Sequence, residues 1–301
     1  MSPNPMPAAE VAISVGLLRR LLAAQHPDLA GLPITVLANG WDNVIFRLGD
    51  DLVARLPRRA MASALIAHEL RWLPELAPRL PLPIPAPIRA GAPGEGYPWQ
   101  WSIVPYLPGE PAADHPPADP LAAAEALAGF LAALHRPAPP NAPANPVRGI
   151  PLARRAESFA ANLAAVGPIP DRAAVLRVWA DALDAPVFGQ PPVWLHGDMH
   201  PANILVHRGR VSAVIDFGDL TSGDPASDLA VAWMLLPPGD HPAFRDRYRN
   251  GVPAVVDDAL WTRARGWALA LGLVFLAHSA DNPQLLAVGE RTLRTVLGEQ
   301  R

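Results

Sequence analysis

Residues 34–57 contain three short apolar runs separated by two turn sequences, and this pattern restricts the fold more than any other feature of the chain. Asn39-Gly40 divides the first run from the second, and residues 49–51, Gly-Asp-Asp, divide the second from the third. Both are typical of hairpins, because Gly, Asn and Asp tolerate the backbone conformations of tight turns. The segment therefore predicts an antiparallel meander of three strands.

Apolar residues at helical spacing occupy most of the remaining chain. They predict helices over 8–24, 63–76, 121–135, 153–166, 173–183 and 257–278. Further strands are predicted at 99–106, 193–195, 204–206 and 211–215, and the proline-rich segment 78–87 is expected to run extended. A sheet-rich first part followed by a helical second part is an α+β plan. We expect an amino-terminal antiparallel-sheet lobe at 1–106 and a mostly helical carboxy-terminal lobe at 107–301.

The composition excludes several kinds of chemistry. The 301 residues include no cysteine and no lysine, so thiol nucleophiles, thiolate metal sites, Schiff bases and phosphate-binding Walker lysines are absent. The formal charge is −3 and no basic cluster exceeds an arginine pair, which gives no electrostatic signature of nucleic-acid binding. The chain shows no targeting signal, and its longest apolar run, 267–277, is shorter than the ~20 residues of a membrane span.

These features predict a cytoplasmic protein whose partners are small molecules, with neither nucleic acid nor membrane among them. The sequence leaves the oligomeric state open.

The densest polar clusters are residues 196–203, His-Gly-Asp-Met-His-Pro-Ala-Asn, and residues 216–219, Asp-Phe-Gly-Asp. Each follows a short predicted strand. Two strands joined by a tight turn would bring Asp198, Asn203 and Asp216 to the mouth of one cleft. One carboxylate would be free to act as a base, and the other oxygens are the ligands that Mg²⁺ prefers.

The spacing of these residues resembles the protein-kinase signature, in which a catalytic Asp precedes an Asn by five residues and then an Asp-Phe-Gly. Here Asn203 follows Asp198 by five residues, and the Asp-Phe-Gly at 216–218 is intact. The loop has Gly197 where protein kinases usually carry Arg. This variant, followed by Gly-Asp-Pro-Ala-Ser-Asp-Leu-Ala at 223–230, resembles the aminoglycoside phosphotransferase family, which includes macrolide and small-metabolite kinases.

The resemblance covers about 34–233 and implies a protein-kinase-like two-lobed fold. It also implies Mg²⁺-dependent transfer of the γ-phosphate of ATP or GTP to a hydroxyl of a small molecule. Asp198 would accept or orient the proton of that hydroxyl. Asn203 and Asp216 would hold Mg²⁺ against the nucleotide phosphates.

The same resemblance assigns residues to the nucleotide. Arg55 stands where the family carries a phosphate-holding lysine, with Glu69 as its carboxylate partner. A guanidinium is not interchangeable with an ammonium, so Arg55 either reaches the phosphates or only braces Glu69. The remaining implied contacts are Asp42 and Asn43 over the phosphates, Val104 and Tyr106 at the purine edge, and Leu205 and Ile215 beneath the purine.

The acceptor is expected to be an aminoglycoside, a macrolide or a related amino-sugar metabolite, and the alternative is a sugar, choline or homoserine type of metabolite. Acidic residues and arginines are interleaved over 240–265, and this mixed charge does not decide between them. Around the loop we assign His196 the role of a hydrogen-bonded scaffold and Asp228 that of a brace, and we leave the role of His135 open.

Two other classes of function compete with a kinase. His196, Asp198 and His200 alternate along the chain and could chelate zinc in a hydrolase. Pro201 interrupts that strand, however, and the hydrolase leaves Asn203 without a role. A non-catalytic binding module with a kinase fold predicts the loss of one of the three site residues, and none is lost.

Overall fold

The computed structural model describes residues 8–253 and 256–298, so the predicted lobes extend beyond the described residues at both ends of the chain. The described chain forms two compact units. We call residues 8–78 with 83–108 the sheet unit, and residues 79–82 with 109–298 the helical unit.

The sheet unit contains a five-stranded antiparallel sheet in the order β1-β2-β3-β5-β4. Its strands are β1 Ile34–Asn39, β2 Asn43–Leu48, β3 Leu52–Pro57, β4 Arg89–Gly91 and β5 Trp101–Pro105. Its helices are α1 Val15–Gln25 and α2 Ala60–Leu76. The predicted meander is therefore confirmed, because β1 pairs with β2 and β2 pairs with β3.

Alternating side chains attach this sheet to α1. Val44, Phe46 and Leu48 of β2 are buried in one cluster with Leu18 and Leu22 of α1. Burying such side chains contributes about 1.5–3 kcal/mol each, which stabilises a helix of this length.

The limits of three predicted elements in this unit differ from the structure. The first helix was predicted from residue 8 but begins at Val15, because the extended Ser14 accepts the Leu17 N–H in its side chain and caps the helix. The second begins at Ala60, three residues earlier than predicted. The proline-rich segment starts with a 3-10 turn at Ala77–Arg79 instead of running extended throughout.

The helical unit contains most of the helices and five short strands. Its helices are α3 Pro120–Leu134, α4 Ala156–Ala165, α5 Arg172–Asp184, α6 Ala226–Leu229, α7 Val231–Leu235, α8 His241–Gly251, α9 Asp258–His278 and α10 Pro283–Gly298. Its strands are β6 Glu110–Pro111, β7 Val193–Leu195, β8 Ile204–His207, β9 Arg210–Val214 and β10 Thr221–Gly223. The predicted α+β class is confirmed.

Helix α9 is the centre of this unit and packs against α4, α5, α6, α7 and α10. Gly266 allows one of these contacts, because a Cβ there would lie 2.3 Å from the Cβ of Ala182 in α5. Within the described residues, no helix is both long and apolar enough to cross a membrane.

Two small sheets carry the polar clusters. β7 pairs with β10, and β8 pairs with β6 and β9. Residues 196–203 connect β7 to β8, and residues 216–219 follow β9. The strand pairing of β8 with β9 therefore holds both polar segments at the same end of one ladder.

Candidate active site

His196 is a buried scaffold of the 196–203 loop, as predicted. Its Nε2 donates to the carbonyl oxygen of Ile215 over 2.9 Å, and its Nδ1 accepts the Asp198 N–H over 3.2 Å. The ring packs on Phe217 with a centroid separation of 4.5 Å. Both ring nitrogens are therefore engaged in fixing the loop.

Gly197 gives the loop its close approach to residues 216–219. Its φ is +87°, in the left-handed region, and a Cβ at this position would lie 2.1 Å from the carbonyl oxygen of Asp219. Only glycine satisfies both conditions without moving the backbone.

Asp228, in α6, braces the loop from behind, which confirms the role predicted for it. Its Oδ2 accepts the His196 N–H over 2.7 Å, and its Oδ1 accepts the Gly197 N–H over 3.0 Å. The carboxylate is completely buried. Because each oxygen receives a loop N–H, the brace fixes the position and the orientation of the backbone that leads into Asp198.

His135 and Tyr248 extend this network and answer the open question about His135. The Tyr248 hydroxyl lies 2.8 Å from His135 Nδ1, and His135 Nε2 lies 3.2 Å from Asp228 Oδ2. Burial, together with the charges of Asp228 and Asp224, raises the pKa of Tyr248. The hydroxyl therefore stays protonated and donates to Nδ1, and the Nε2–H donates to Asp228.

Asp198 is held by a side-chain partner on each oxygen. Arg148 Nη2 lies 2.9 Å from its Oδ1, and His200 Nε2 lies 3.1 Å from its Oδ2. Burial acts to raise the pKa of Asp198, but the hydrogen bond from His200 and the charge of Arg148 hold that pKa well below its usual range. The carboxylate is anionic, and its side chain remains 29% exposed. It can still accept a hydrogen bond from a bound hydroxyl.

Asn203 contacts Asp198 directly. Its Nδ2 donates to the Asp198 carbonyl oxygen over 2.9 Å and to Oδ2 over 3.3 Å. Since both partners are acceptors only, the amide nitrogen must face Asp198, and the amide oxygen lies on the opposite side of the group.

Asp216 is brought to the same place by the β8–β9 ladder. The Ile215 N–H donates to the Asn203 carbonyl oxygen over 2.9 Å, so Asp216 is the residue after this bond. Asp216 is exposed and has a φ of +63°, which is strained for a residue with a Cβ. Strain of this kind concentrates at functional sites, where surrounding structure holds it.

The donor set fits Mg²⁺. The amide oxygen of Asn203, which is turned away from Asp198, and the exposed carboxylate of Asp216 are hard oxygen ligands, and Mg²⁺ completes its shell with water and phosphate oxygens. The zinc alternative is not supported by the geometry, because both ring nitrogens of His196 have protein partners. In the part of the chain that is described, no group of three His, Cys, Asp or Glu is placed to hold a metal ion.

Arg148 and Asp219 belong to this site and were missed as site residues by the sequence analysis. Arg148 Nε also lies 3.8 Å from Asp219 Oδ2, and Asn145 donates to Asp219 Oδ1 over 2.8 Å. Burial raises the pKa of Asp219, and the negative charges of Asp198 and Asp216 raise it further. The charge of Arg148 and the hydrogen bond from Asn145 lower this pKa, but the net shift is upward. Arg148 lies fifty residues before Asp198 in an irregular segment, where no motif marks it.

In the sheet unit, Arg55 and Glu69 form a buried two-bond ion pair between β3 and α2. Arg55 Nη2 donates to Glu69 Oε1 over 3.0 Å, and Nη1 donates to Oε2. Arg55 is 7% exposed and Glu69 is fully buried. Breaking such a pair leaves a buried charge without its partner, which is costly.

Two arginines that follow β3, Arg58 and Arg59, hold the turn before β2. The Asp42 carboxylate pairs with Arg59, and the Asp42 carbonyl accepts the Arg58 N–H over 2.8 Å. The Gly40 N–H donates to the Asn43 carbonyl oxygen over 2.9 Å and closes the turn.

The backbone N–H of Tyr106 is engaged within the sheet unit. Its N–H donates to the carbonyl oxygen of Asp51 over 2.7 Å, so this donor is not free for a purine edge. The bond arises because the chain continues the β3–β5 pairing one residue beyond Pro105. The Tyr106 ring instead lies under the guanidinium of Arg47, with 3.2 Å from Cζ to the ring centroid.

The remaining predicted residues occupy apolar strand positions. Val104 lies opposite Val53 in the β3–β5 pair and is 2% exposed. In the helical unit, Leu205 is buried in β8, and Ile215 is partly buried directly before Asp216.

Comparison with solved structures shows chains of similar fold. Macrolide 2′-phosphotransferase MphH from Brachybacterium faecium, as the apoenzyme, has a TM-score of 0.61 at 22% identity, over 95% of this chain and 99% of its own. The GDP and kanamycin complex of APH(2″)-IIIa has a TM-score of 0.65 at 18% identity, over 94% and 99%. The streptomycin–ATP ternary complex of APH(2″)-IIa has a TM-score of 0.57 at 17% identity, over 93% and 95%.

These likenesses show the α+β fold of small-molecule phosphotransferases. A sequence model described as "Phosphotransferase enzyme family" matches residues 33–267, which is more than half of the chain. The matched range includes the 196–203 loop, the Asp-Phe-Gly segment and their brace. The chain therefore belongs to the phosphotransferase enzyme family.

Proposed function

We propose that this phosphotransferase transfers the γ-phosphate of ATP or GTP to a hydroxyl of a small molecule with the help of Mg²⁺. The observation that carries the proposal is Asp198, an anionic and partly exposed carboxylate fixed on both oxygens and in contact with the amide of Asn203. Phosphoryl transfer depends mainly on positioning and on electrostatic stabilisation, which such an arrangement supplies.

Asp198 accepts the hydrogen of the acceptor hydroxyl and directs the hydroxyl oxygen towards the phosphate. Because its pKa is held low, it is a weak base, and orientation is the larger part of its role. Arg148 and His200 hold the carboxylate in one rotamer, so the acceptor meets a preorganised partner.

Asn203 and Asp216 would hold Mg²⁺. When bound, the ion neutralises charge on the nucleotide phosphates. The bonds from Asn203 Nδ2 to Asp198 keep the amide oxygen free for this task.

In the sheet unit, Arg55 is proposed to contact nucleotide phosphates, with Glu69 as the residue that positions it. Backbone donors of Asp42 and Asn43 are proposed to close over phosphate, and Val104, Leu205 and Ile215 to offer contacts to the purine. The family relationship leaves the acceptor open between an antibiotic and a small metabolite.

The decisive experiment compares Asp198→Asn with the wild type. Turnover is expected to fall by about 10²–10⁴-fold with unchanged nucleotide affinity, because the variant keeps the shape but loses the negative charge and replaces one acceptor oxygen with an NH₂ donor. Asp246→Asn, on the exposed surface of α8, is the matched control and should change neither quantity. Near-wild-type kcat in Asp198→Asn contradicts the proposal, and nucleotide binding by the wild type without any acceptor-dependent turnover supports the non-catalytic module instead.

A further inference from the structure

The Asp198 carboxylate has one position left for a hydrogen-bond donor, and this position is on Oδ1. Its Oδ2 faces two donors, His200 Nε2 at 3.1 Å and Asn203 Nδ2 at 3.3 Å. In the described part of the chain, Oδ1 receives a single donor, Arg148 Nη2, over 2.9 Å. Each carboxylate oxygen has about two acceptor positions. The acceptor hydroxyl therefore meets Oδ1, the oxygen that Arg148 also holds.

This placement puts the reacting hydroxyl beside the guanidinium of Arg148. Two donors that share one oxygen lie about 4–5 Å apart, because each is about 2.8 Å from that oxygen. The phosphoryl group that bonds to the hydroxyl carries its free oxygens one bond further out. The remaining N–H groups of Arg148 can therefore reach those oxygens while the guanidinium still holds Asp198.

Most N–H groups of Arg148 have no acceptor in the protein. A guanidinium carries five N–H donors, and among the described residues only Asp198 accepts a hydrogen bond from this one. The Nε of Arg148 is buried without a hydrogen bond, 3.8 Å from Asp219 Oδ2. The side chain is 16% exposed, so most of it is shielded from water. Buried donors without acceptors are costly, and phosphoryl oxygens would satisfy them.

The turn around Arg148 holds its backbone on both sides. Asn145 Oδ1 accepts the N–H groups of Val147 and Arg148 over 2.9 and 3.1 Å. Gly149 has a φ of +64°, and its carbonyl oxygen accepts the Asp224 N–H over 3.0 Å. The guanidinium is therefore presented by a fixed backbone. A preorganised cation of this kind stabilises developing negative charge without reorganising at the moment of reaction.

The charges around Asp198 require a cation where the phosphoryl group arrives. Asp219 packs against Gly197, because 3.0 Å separates the Asp219 Cβ from the position that a Gly197 Cβ would take. Asp198 and Asp219 both repel an anionic phosphoryl group. The chain has no lysine, and an arginine keeps its charge at every working pH. Arg148 contacts Asp198 and lies 3.8 Å from Asp219, so it is placed to offset this repulsion.

We infer that Arg148 is a catalytic residue that donates hydrogen bonds to the phosphoryl group during its transfer, in addition to holding Asp198. In that step the hydroxyl oxygen forms a bond to the γ-phosphorus, and the bond from this phosphorus to the β,γ-bridging oxygen breaks. The nucleoside diphosphate leaves with the electron pair, and the hydroxyl proton passes to Asp198 and then to solvent. Arg148 stabilises the negative charge on the phosphoryl oxygens. This inference rests on the proposed kinase function and adds a residue to its chemistry.

The test measures the binding of aluminium fluoride, which mimics a phosphoryl group in transfer and needs no acceptor alcohol. Calorimetry with Mg²⁺ gives the affinity of each variant for ADP and for GDP, with and without aluminium fluoride. The wild type is expected to bind the preferred diphosphate more tightly when aluminium fluoride is present, as enzymes bind transition-state analogues. Arg148→Gln is expected to lose about 10–100-fold of this affinity, as for one charged hydrogen bond, with the affinity for the diphosphate alone unchanged.

A second background separates contact with the phosphoryl group from support of Asp198. If Arg148 acts only by holding Asp198, Arg148→Gln has no effect on aluminium fluoride binding once Asp198→Asn is present. The inference predicts the same loss in that background, because the contact is to the phosphoryl mimic itself. Arg148→Lys, which keeps the charge but not the planar fork, should recover part of the affinity. Arg154→Gln, at an exposed position, is the matched control and should change neither affinity.

Thermal unfolding of each variant verifies that it is folded. A folded Arg148→Gln that keeps the wild-type gain from aluminium fluoride overturns the inference, and so does a wild type that gains nothing from it. A loss that requires an intact Asp198 also overturns it and assigns Arg148 to positioning alone. In each of these cases, phosphorylation of an alcohol that depends on Asp198 still upholds the kinase function. A wild type that phosphorylates no alcohol in a screen with ATP and GTP refutes the kinase function, and the inference with it.

Discussion

The carboxylate of Asp228 accepts the backbone N–H of His196 over 2.7 Å. Its other oxygen accepts the next N–H along the chain. A fully buried charge is thus balanced by two backbone dipoles and by His135, and it fixes the loop that presents Asp198. The Asp228 carboxylate therefore decides the position of the backbone that leads into Asp198.

Asp228→Asn tests the brace. The amide keeps the size of the side chain but places an NH₂ where a carboxylate oxygen accepted a backbone N–H, so one buried donor loses its partner. The free energy of unfolding is expected to fall by about 2–4 kcal/mol, and kcat is expected to fall more than nucleotide affinity. Urea denaturation and steady-state kinetics measure the two effects. Asp184→Asn, at the exposed end of α5, is the control, and unfolding of Asp228→Asn at the wild-type urea concentration would refute the brace.

Tyr248→Phe removes the hydroxyl that donates to His135 while keeping the ring. We expect a loss of about 1–2 kcal/mol in the free energy of unfolding, because His135 Nδ1 is left buried without a donor. A double-mutant cycle with Asp228→Asn should show coupling of about 0.5–3 kcal/mol, since both residues bind the same imidazole. Strictly additive effects of the two substitutions are the result that speaks against this hydrogen-bonded chain.

Glu69→Gln removes the carboxylate of a buried ion pair, and the same helix carries an exposed ion pair for comparison. Arg55 would remain buried without its counter-charge, and the free energy of unfolding is expected to fall by about 3–5 kcal/mol. Glu75→Gln is the matched control, because Glu75 pairs with Arg71 on the surface and both side chains are more than half exposed. The control should change stability by less than about 1 kcal/mol. Equal effects of the two substitutions in urea denaturation would be incompatible with the buried pair.

Gly197→Ala places a methyl group against a backbone carbonyl oxygen. The left-handed φ alone costs an alanine about 1–2 kcal/mol, and the 2.1 Å approach to Asp219 forces the loop to move. We expect lower stability and a large loss of kcat. Gly239→Ala is the control, because a Cβ there has no heavy atom within 4 Å and its φ is not left-handed. Wild-type turnover in Gly197→Ala would show that the loop tolerates another backbone path.

The strand meander at 34–57 could be predicted because each turn lies between the strands that it joins, so its residues carry the information locally. Helices α8 and α10 were not predicted, although their buried residues recur at helical spacing: His241, Phe244 and Tyr248 in α8, and Val288, Thr292 and Val296 in α10. Packing of α8 against α3 and of α10 against α9 stabilises both helices.

The sequence by itself predicted that Asp198, Asn203 and Asp216 meet, because they flank two strands that a local turn pairs, and the structure holds all three at the same end of that ladder. Only the tertiary structure decided which side chains hold these residues in position. Arg148 lies fifty residues from Asp198, and His135 lies ninety-three residues from Asp228. Such contacts form when packing brings remote segments together, and the order of residues along the chain carries no periodic or turn signal for them.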